Sequence, residues 1–559
     1  MHVRIGLLTE GGYPYATGES RFWCDRLVRG LDGHEFDLYA LSRSAQQEAG
    51  GRLELPPQVR RVRTAPLWKA EADGRRYGRR DRRRFADCFR QLVSAVCGEG
   101  TGLADGLFAD GLYGLAELAV EKGPLYPALR SETAVRALES ACRAPGASRT
   151  VQSARVPDYL TFAGLLERAL RPLSLDWYTE DELGAVDLCH AASGGGAALP
   201  GLLALRFFGV PLLVTEYGVE LRSHYLAGST RSAPVRALLA GFHGRLAAEV
   251  YRRAAVITHG NAHARRWQEK CGADRAKLRT VHPGMEAERF SAVGDGGETG
   301  DPATLVWVGR IEPAKDLISL LHAFAEVRKE EPEAGLRIVG APAPGPGGAD
   351  HLAHCRALAA QLFPDEAADV HAVGSNPVTF EEIGGPEVPE LADAYAGGAV
   401  VVLSSVVEGF PVSLVEAMFC GRATVSTDVG AVVEVVGGTG LVVPPRNPRA
   451  LADACLALLR DPRRRERLGA AARARALELF TVEQNIAAFH GIYLDLLSHG
   501  PVRRTPAHDK GDPRPFAHPA EAQVAGAWAA HAGTVRTPSW AAPEPEPLRV
   551  GAVAGEGGR

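Results

Sequence analysis

Short apolar, β-branched runs alternate with helical periodicities along most of the chain. In the first half the runs Val3–Leu8, Phe36–Leu41, Val59–Thr64, Val186–Cys189, Pro211–Thr215, Ala255–Thr258 and Leu278–Val281 read as strands, each closed by turn residues. The second half repeats the pattern at Thr304–Val308, Leu336–Val339, Val370–Val373, Ala399–Ser404, Ala423–Ser426 and Gly440–Val443. Helical periodicity fits Leu317–Glu331, Ala349–Leu362, Glu390–Ala396, Val412–Cys420 and Arg449–Leu459. Strand–helix alternation predicts parallel sheets, hence the α/β class. Residues 84–175 are mainly helical, longer than a simple crossover needs, so they read as a helical insertion in the first of two domains.

At 559 residues the chain exceeds what one hydrophobic core serves. Gly294–Pro302 is rich in glycine and acid and reads as a linker, dividing residues 1–298 from residues 303–480. A last helix is expected over residues 481–499, with Thr481 as its N-cap. Residues 500–559 carry Pro, Ala, Gly and His without periodicity and are expected to be a disordered tail.

Composition changes this picture little. Hydrophobic content of 46% and charged content of 23% are ordinary for a soluble globular chain, and a net charge of −4 argues against nucleic acid as a partner. One exception is the arginine cluster Arg75–Arg84, which is either a solvated face or a landing site for an anionic partner. The nine cysteines lack metal-ligand spacing, and Cys24, Cys97, Cys189, Cys420 and Cys455 sit in apolar contexts expected to be buried and reduced. Met1–Leu8 runs straight into a glycine turn and no stretch approaches a membrane span, so the expectation is a cytoplasmic protein.

The chemistry concentrates after two strands of the second half. Ala399–Ser404 ends at Glu408-Gly409, and a helical pattern begins near Pro411, so Gly409, Phe410 and Val412 mark a helix start whose N–H groups face an anion. Glu416 falls about one and a half turns into that helix, where a carboxylate suits the vicinal hydroxyls of a ribose. Arg310 and Lys315 follow Thr304–Val308 as two cations suited to a diphosphate. The bland alternative makes Arg310 and Lys315 a surface pair around Glu312 and Asp316, and the two glutamates complements of a helix dipole. In the first half, Glu10-Gly11-Gly12-Tyr13-Pro14 is either a tight turn or a close backbone approach to a ligand. His190 precedes Ser193-Gly194-Gly195-Gly196 and is either a satisfied core histidine or a group facing a substrate. No Asp-x-Asp or histidine cluster suggests a metal, and no G-x-G-x-x-G follows the first strand as an oxidoreductase would need.

These residues resemble the retaining glycosyltransferases of family 4. The pattern comprises Arg310 and Lys315, the Glu-x7-Glu pair Glu408 and Glu416, and Gly421-Arg-Ala-Thr-Val-Ser-Thr-Asp428-Val-Gly430. The opening Leu7-Leu-Thr-Glu10-Gly-Gly-Tyr-Pro-Tyr15 with Phe22-Trp23-Cys-Asp25-Arg-Leu is similar to the PelF-type exopolysaccharide glycosyltransferases. The resemblance runs from Met1 to about His499. It implies a GT-B architecture: two doubly wound Rossmann-like domains facing across a cleft. It further implies a metal-independent hexosyl transfer from a nucleotide-diphosphate sugar, UDP-linked, to a polysaccharide or other hydroxyl acceptor. The donor is a substrate, so no cofactor is expected, and a membrane-bound polysaccharide synthase is an implied partner. Glu408, Tyr217 and His190 are the implied catalytic groups; Arg310, Lys315, Glu416, Gly409, Phe410, Val412, Gly11, Gly12 and Gly18 are the implied donor-site residues.

Two positions depart from the family. Gly18-Glu19-Ser20 stands where a glycine pair is usual, and Tyr217 stands where the family carries a histidine beside the reacting sugar. Both leave room for a homologue that binds a sugar nucleotide without turning it over.

Overall fold

The computed structural model describes residues 3–16, 20–69, 77–98, 103–227, 231–296, 300–364 and 376–499, with backbone only for Leu103, Ser223, Leu226, Ala227 and Pro346. Strands β1 (Val3–Glu10), β2 (His34–Ser42), β3 (Val59–Pro66), β4 (Leu188–Ala191), β5 (Leu212–Glu216), β6 (Val256–His259) and β7 (Leu278–Thr280) form one sheet. Strands β8 (Asp301–Val308), β9 (Gly335–Val339), β10 (Val378–Glu381), β11 (Gly398–Leu403), β12 (Ala423–Thr427) and β13 (Leu441–Val443) form the other. Their orders are β3-β2-β1-β4-β5-β6-β7 and β10-β9-β8-β11-β12-β13. Every recorded pairing is parallel. These are the two Rossmann-like halves of a GT-B architecture. The central strands β5 and β11 are buried at every residue, as continuous apolar runs require in a sheet covered on both faces.

The helices that bear on the site are α1 (Arg21–Gly30), α2 (Arg79–Cys97), α3 (Leu103–Lys122), α4 (Glu132–Cys142), α5 (Val156–Leu170), α6 (Glu220–Ala227), α7 (Ala233–Arg253), α8 (Ala262–Lys270), α9 (Leu317–Glu330), α10 (Val412–Phe419), α11 (Val432–Val436), α12 (Pro462–Leu479) and α13 (Val482–His499). Helices α2 to α5 lie between β3 and β4. Their apolar faces, with Phe85, Phe89, Leu112, Leu138 and Phe162, join one core with the sheet residues Leu8 and Leu212. On the first turns of α2, Arg79, Arg80, Arg82 and Arg83 are exposed, while Arg84 pairs with Glu121 at 2.7 Å. Arg75 and Arg76 lie outside the described residues, as does the whole of residues 500–559.

Three elements differ from the hydrophobic pattern. Strand β4 starts at Leu188, because the Asp187 carboxylate turns back to accept the Arg4 N–H at 2.8 Å. The expected strand Val370–Val373 lies outside the described residues, and the edge place beside β9 belongs to β10. Helix α12 carried no apolar signal: the face it buries is Arg465, Gly469, Ala472 and Ala476, small residues plus one guanidinium.

Helix α13 is the return crossing. Thr481 caps it, accepting the Gln484 N–H at 3.3 Å, and Met285 pairs with the same turn through Met285 N–H to Phe480 O at 2.9 Å and Val482 N–H to Met285 O at 3.2 Å. Its Phe489 and Tyr493 then sink into the core formed by Ile5 and Leu7 of β1 and Cys24 and Leu27 of α1. All nine cysteines are free thiols, and the five expected to be buried are. Among the described residues no helix is long and apolar enough to cross a membrane.

Candidate active site

The ends of β8 and β11 converge on one ion pair. Beyond β8 the chain turns through Gly309 and Arg310 into a single 3-10 turn, Pro313–Lys315, and Asp316 then caps α9 by accepting the Ser319 N–H at 3.2 Å. That turn is pinned to the end of β11: Ser404 Oγ donates to the Lys315 carbonyl at 2.7 Å, and Val406 N–H to Ala314 O at 2.9 Å. Lys315 Nζ therefore reaches Glu408, donating to Oε2 at 2.6 Å, and Ser405 Oγ donates to the same oxygen at 3.0 Å. Both partners are mostly shielded, at 18% and 12% side-chain exposure, so the pair is screened less than a surface bridge.

Glycine is required behind Glu408. Gly430 has φ 59°, and a Cβ there would sit 2.3 Å from the Glu408 carbonyl. The run from Gly421 to Gly430 thus backs the Glu408-Gly409 turn, with Ala431 N–H donating to Gly409 O at 3.1 Å. On α10, Glu416 accepts the Tyr395 hydroxyl at 2.6 Å; burial pushes its carboxyl up, while that bond and the charge of Arg289 pull it down. Arg310 is exposed, Val412 is 49% exposed, and Phe410 packs edge-on against Phe480 at 5.7 Å.

In the other half, a cavity of about 330 Å³ opens over the carboxyl ends of β1, β4 and β5, lined by Glu10, Gly11, Trp23, Arg43, Ser193 and Tyr217 among others. Gly11 has φ 67°, so the turn needs a glycine there for its own shape, while a Cβ on Gly12 would lie 1.9 Å from Ser20 Oγ and force that hydroxyl to rotate away. Gly18 and Glu19 lie outside the described residues. Arg43 Nε donates to Glu10 Oε1 at 2.9 Å along the cavity wall. Tyr217 stands edge-on to Trp23 with ring centres 5.4 Å apart, and its hydroxyl accepts from Asn485 Nδ2 at 2.9 Å.

His190 does not line this cavity. It is fully buried, and both ring nitrogens are engaged: Nδ1 with the Tyr493 hydroxyl and Nε2 with Thr215 Oγ1, each at 2.7 Å. Thr215 Oγ1 meets Thr258 Oγ1 at 2.6 Å, and Thr258 donates to the Val214 carbonyl at 3.4 Å. A carbonyl can only accept, so donation runs from His190 Nε2–H through both threonines, and Nδ1 accepts from Tyr493. Burial holds the imidazole neutral, its pKa lowered to about 3. The expectation of a catalytic His190 is thereby corrected: this histidine fastens α13 to the sheet.

Three residues of the site escaped the sequence reading. Glu216, 1% exposed, accepts the Gly194 N–H at 3.1 Å and Gln268 Nε2 at 3.2 Å, with the Tyr251 hydroxyl as a further donor, and so holds the Ser193–Gly196 loop over β5. Asn485 reaches Tyr217 from α13, and Arg43 comes from the end of β2. Only Glu216 had a local signal, as an acid closing an apolar strand.

Two family models match separate stretches of the chain. A domain of unknown function (DUF3492) matches residues 3–276, and the family Glycosyl transferases group 1 matches residues 302–461. D-inositol 3-phosphate glycosyltransferase 1 of Catenulispora acidiphila is 30% identical over 300 residues, which cover 52% of this chain and 68% of that protein. The chain belongs to the group 1 glycosyl transferases. The D-inositol 3-phosphate glycosyltransferases of Kribbella flavida and Kineococcus radiotolerans are each 32% identical, over 49% and 40% of this chain. The chain spans 63% and 52% of their respective lengths. Among solved structures, sucrose-phosphate synthase of Thermosynechococcus elongatus superposes with a TM-score of 0.53 at 18% identity, covering 89% of this chain and 99% of that one. Anabaena HepE in complex with UDP superposes with a TM-score of 0.52 at 14% identity, covering 88% and 100%. Both share the two-sheet fold with this group 1 chain.

Proposed function

We propose that this protein is a retaining glycosyltransferase of the family 4 type, moving a hexose from a UDP-linked donor to a hydroxyl acceptor without a metal ion. The observation that carries the proposal is the shielded Lys315–Glu408 pair at the adjoining ends of β8 and β11, with Arg310 exposed in the turn that follows β8. An incoming diphosphate competes with Glu408 for Lys315 and adds Arg310, so the leaving group meets two fixed cations and the N–H groups of α10. Glu408, released from Lys315, then faces the sugar as its anomeric carbon gains positive charge, and the acceptor hydroxyl attacks from the face that the diphosphate leaves. Glu416 takes the ribose hydroxyls. The similar fold of HepE holds UDP, which supports UDP as the carrier. A polysaccharide of the PelF kind is the proposed acceptor and product, assembled with a membrane-bound synthase, and the cavity over β1, β4 and β5 is the proposed acceptor side.

One observation favours a second reading, a binder without turnover. The position beside the reacting sugar holds Tyr217, whose phenol is pushed up in pKa by burial and cannot exchange a proton near neutrality.

The test is UDP release from a panel of UDP-sugars with a mixed glycan acceptor, run with and without EDTA. Release that persists in EDTA and is lost in Glu408→Gln supports the transferase. Binding of UDP-sugar without release supports the second reading, and activity that needs added magnesium or manganese overturns the metal-free mechanism.

A further inference from the structure

Behind the 330 Å³ cavity lies a second chamber of about 180 Å³, and Glu10 and Glu220 line both. The chamber is walled by α5 of the insertion and by α6 and α7, which follow β5. Leu165, Phe242 and Leu246 make its apolar side. Its polar side carries Arg168, His224, Arg231 and His243.

The charges are unevenly shared between the two compartments. At the threshold, Glu10 is matched by Arg43 at 2.9 Å, and Arg43 also lies 3.9 Å from Glu220. Behind it stand two guanidiniums and two imidazoles, with the rings of His224 and His243 only 5.1 Å apart. Burial lowers His243 to about 4, and His224, Arg231 and Arg43 push in the same direction, which marks a positive field at this ring. His243 Nδ1 is also buried with no hydrogen-bond partner among the described residues. The neutral imidazole, in the tautomer that carries its proton on Nδ1, has an N–H to give and nothing to receive it.

We propose that this rear chamber receives an anionic oxygen group of the acceptor, a carboxylate or a phosphate ester, so that the acceptor is an acidic sugar and not a neutral one. The inference rests on the glycosyltransferase reading, which makes the front cavity the acceptor side. The volume equals that of about six waters, room for one such substituent once water leaves. The oxyanion gives His243 Nδ1 a partner and sets a negative charge between Arg168 and Arg231. The apolar wall strengthens these contacts by excluding water. Glu10 and Glu220 at the threshold repel an anion that stops short and accept hydroxyls of a ring that carries its charge further in.

The experiment is calorimetric binding of three probes to the full chain in the presence of UDP, at one fixed pH: glucose, glucuronate and glucose 6-phosphate. At least one anionic probe is expected to bind about tenfold more tightly than glucose, and the two anionic arms tell carboxylate from phosphate. Arg231→Gln, a change at an exposed side chain, and His243→Gln should each remove about threefold to tenfold of that preference and leave glucose binding as it was. Glucose binding as tightly as both anions, failure of both anions to bind, or variants that keep the full preference would overturn the proposal. UDP release measured on the same samples separates this from the parent reading: an anion preference without turnover sinks the transferase and spares the chamber.

Discussion

The side-chain amide of Asn485 donates to the Tyr217 hydroxyl at 2.9 Å and to the His282 carbonyl at 2.7 Å. One nitrogen thus ties the end of β5 to the peptide that leads from the first sheet toward the second. The orientation of Tyr217 is set from α13, remote in sequence. Replacing Asn485 with Ala removes both bonds at a site 5% exposed and should cost about 1–3 kcal/mol of stability. Tyr217→Phe breaks one of the same bonds, so the double variant should be less destabilised than the sum, by roughly 1 kcal/mol. Denaturant unfolding of the four proteins measures this, and strict additivity would mean that the two residues do not act together.

Arg310 is exposed, whereas Lys315 is held by Glu408. Arg310→Ala should weaken UDP binding by about 2 kcal/mol, the loss of one charge-assisted contact to phosphate. Calorimetry on wild type and variant decides it, and unchanged affinity would move the diphosphate elsewhere.

Glu416→Gln separates ribose from phosphate. The amide keeps the shape and can still accept from Tyr395, yet it loses the charge proposed to grip vicinal hydroxyls. UDP should bind about tenfold more weakly and inorganic diphosphate as before. Equal weakening of both ligands would show that Glu416 shapes the helix and touches no ribose.

Buried imidazoles make the fold acid-sensitive in a predictable direction. Burial lowers His190 from 6.5 to about 3, and His243 and His259 from 6.5 to about 4. Between those values the unfolded chain takes up protons that the folded chain refuses, so stability falls as pH drops below 6.5. Each group contributes about 1.4 kcal/mol per pH unit over its window and nothing above it. Glu216 and Glu416, raised by burial, act in the opposite sense at the acid end. The sharper test is therefore differential: His190→Gln should lower Tm at pH 7, yet flatten its fall between pH 6.5 and 5. A slope equal to wild type would mean that His190 is protonated when folded.

Sequence alone determined the parts whose cause is local. Apolar runs such as Ala399–Ser404 can only be buried, so most strand positions and the parallel α/β class were legible, as were the places of Arg310, Lys315 and Glu408 in the turns after β8 and β11 and of Glu416 on α10. Tertiary structure decided which groups meet. Lys315 and Glu408 are an ion pair because β8 and β11 are neighbours in the sheet, a matter of strand order that no local pattern encodes. His190 looked like a site residue while its strand was read alone; Tyr493, arriving on α13, made it a core residue with both nitrogens satisfied. Asn485 and the rear chamber were invisible for the same reason. A hydrogen bond acts over about 3 Å in space and is indifferent to separation along the chain. The periodicity of a helix reports which face is buried but never what it is buried against.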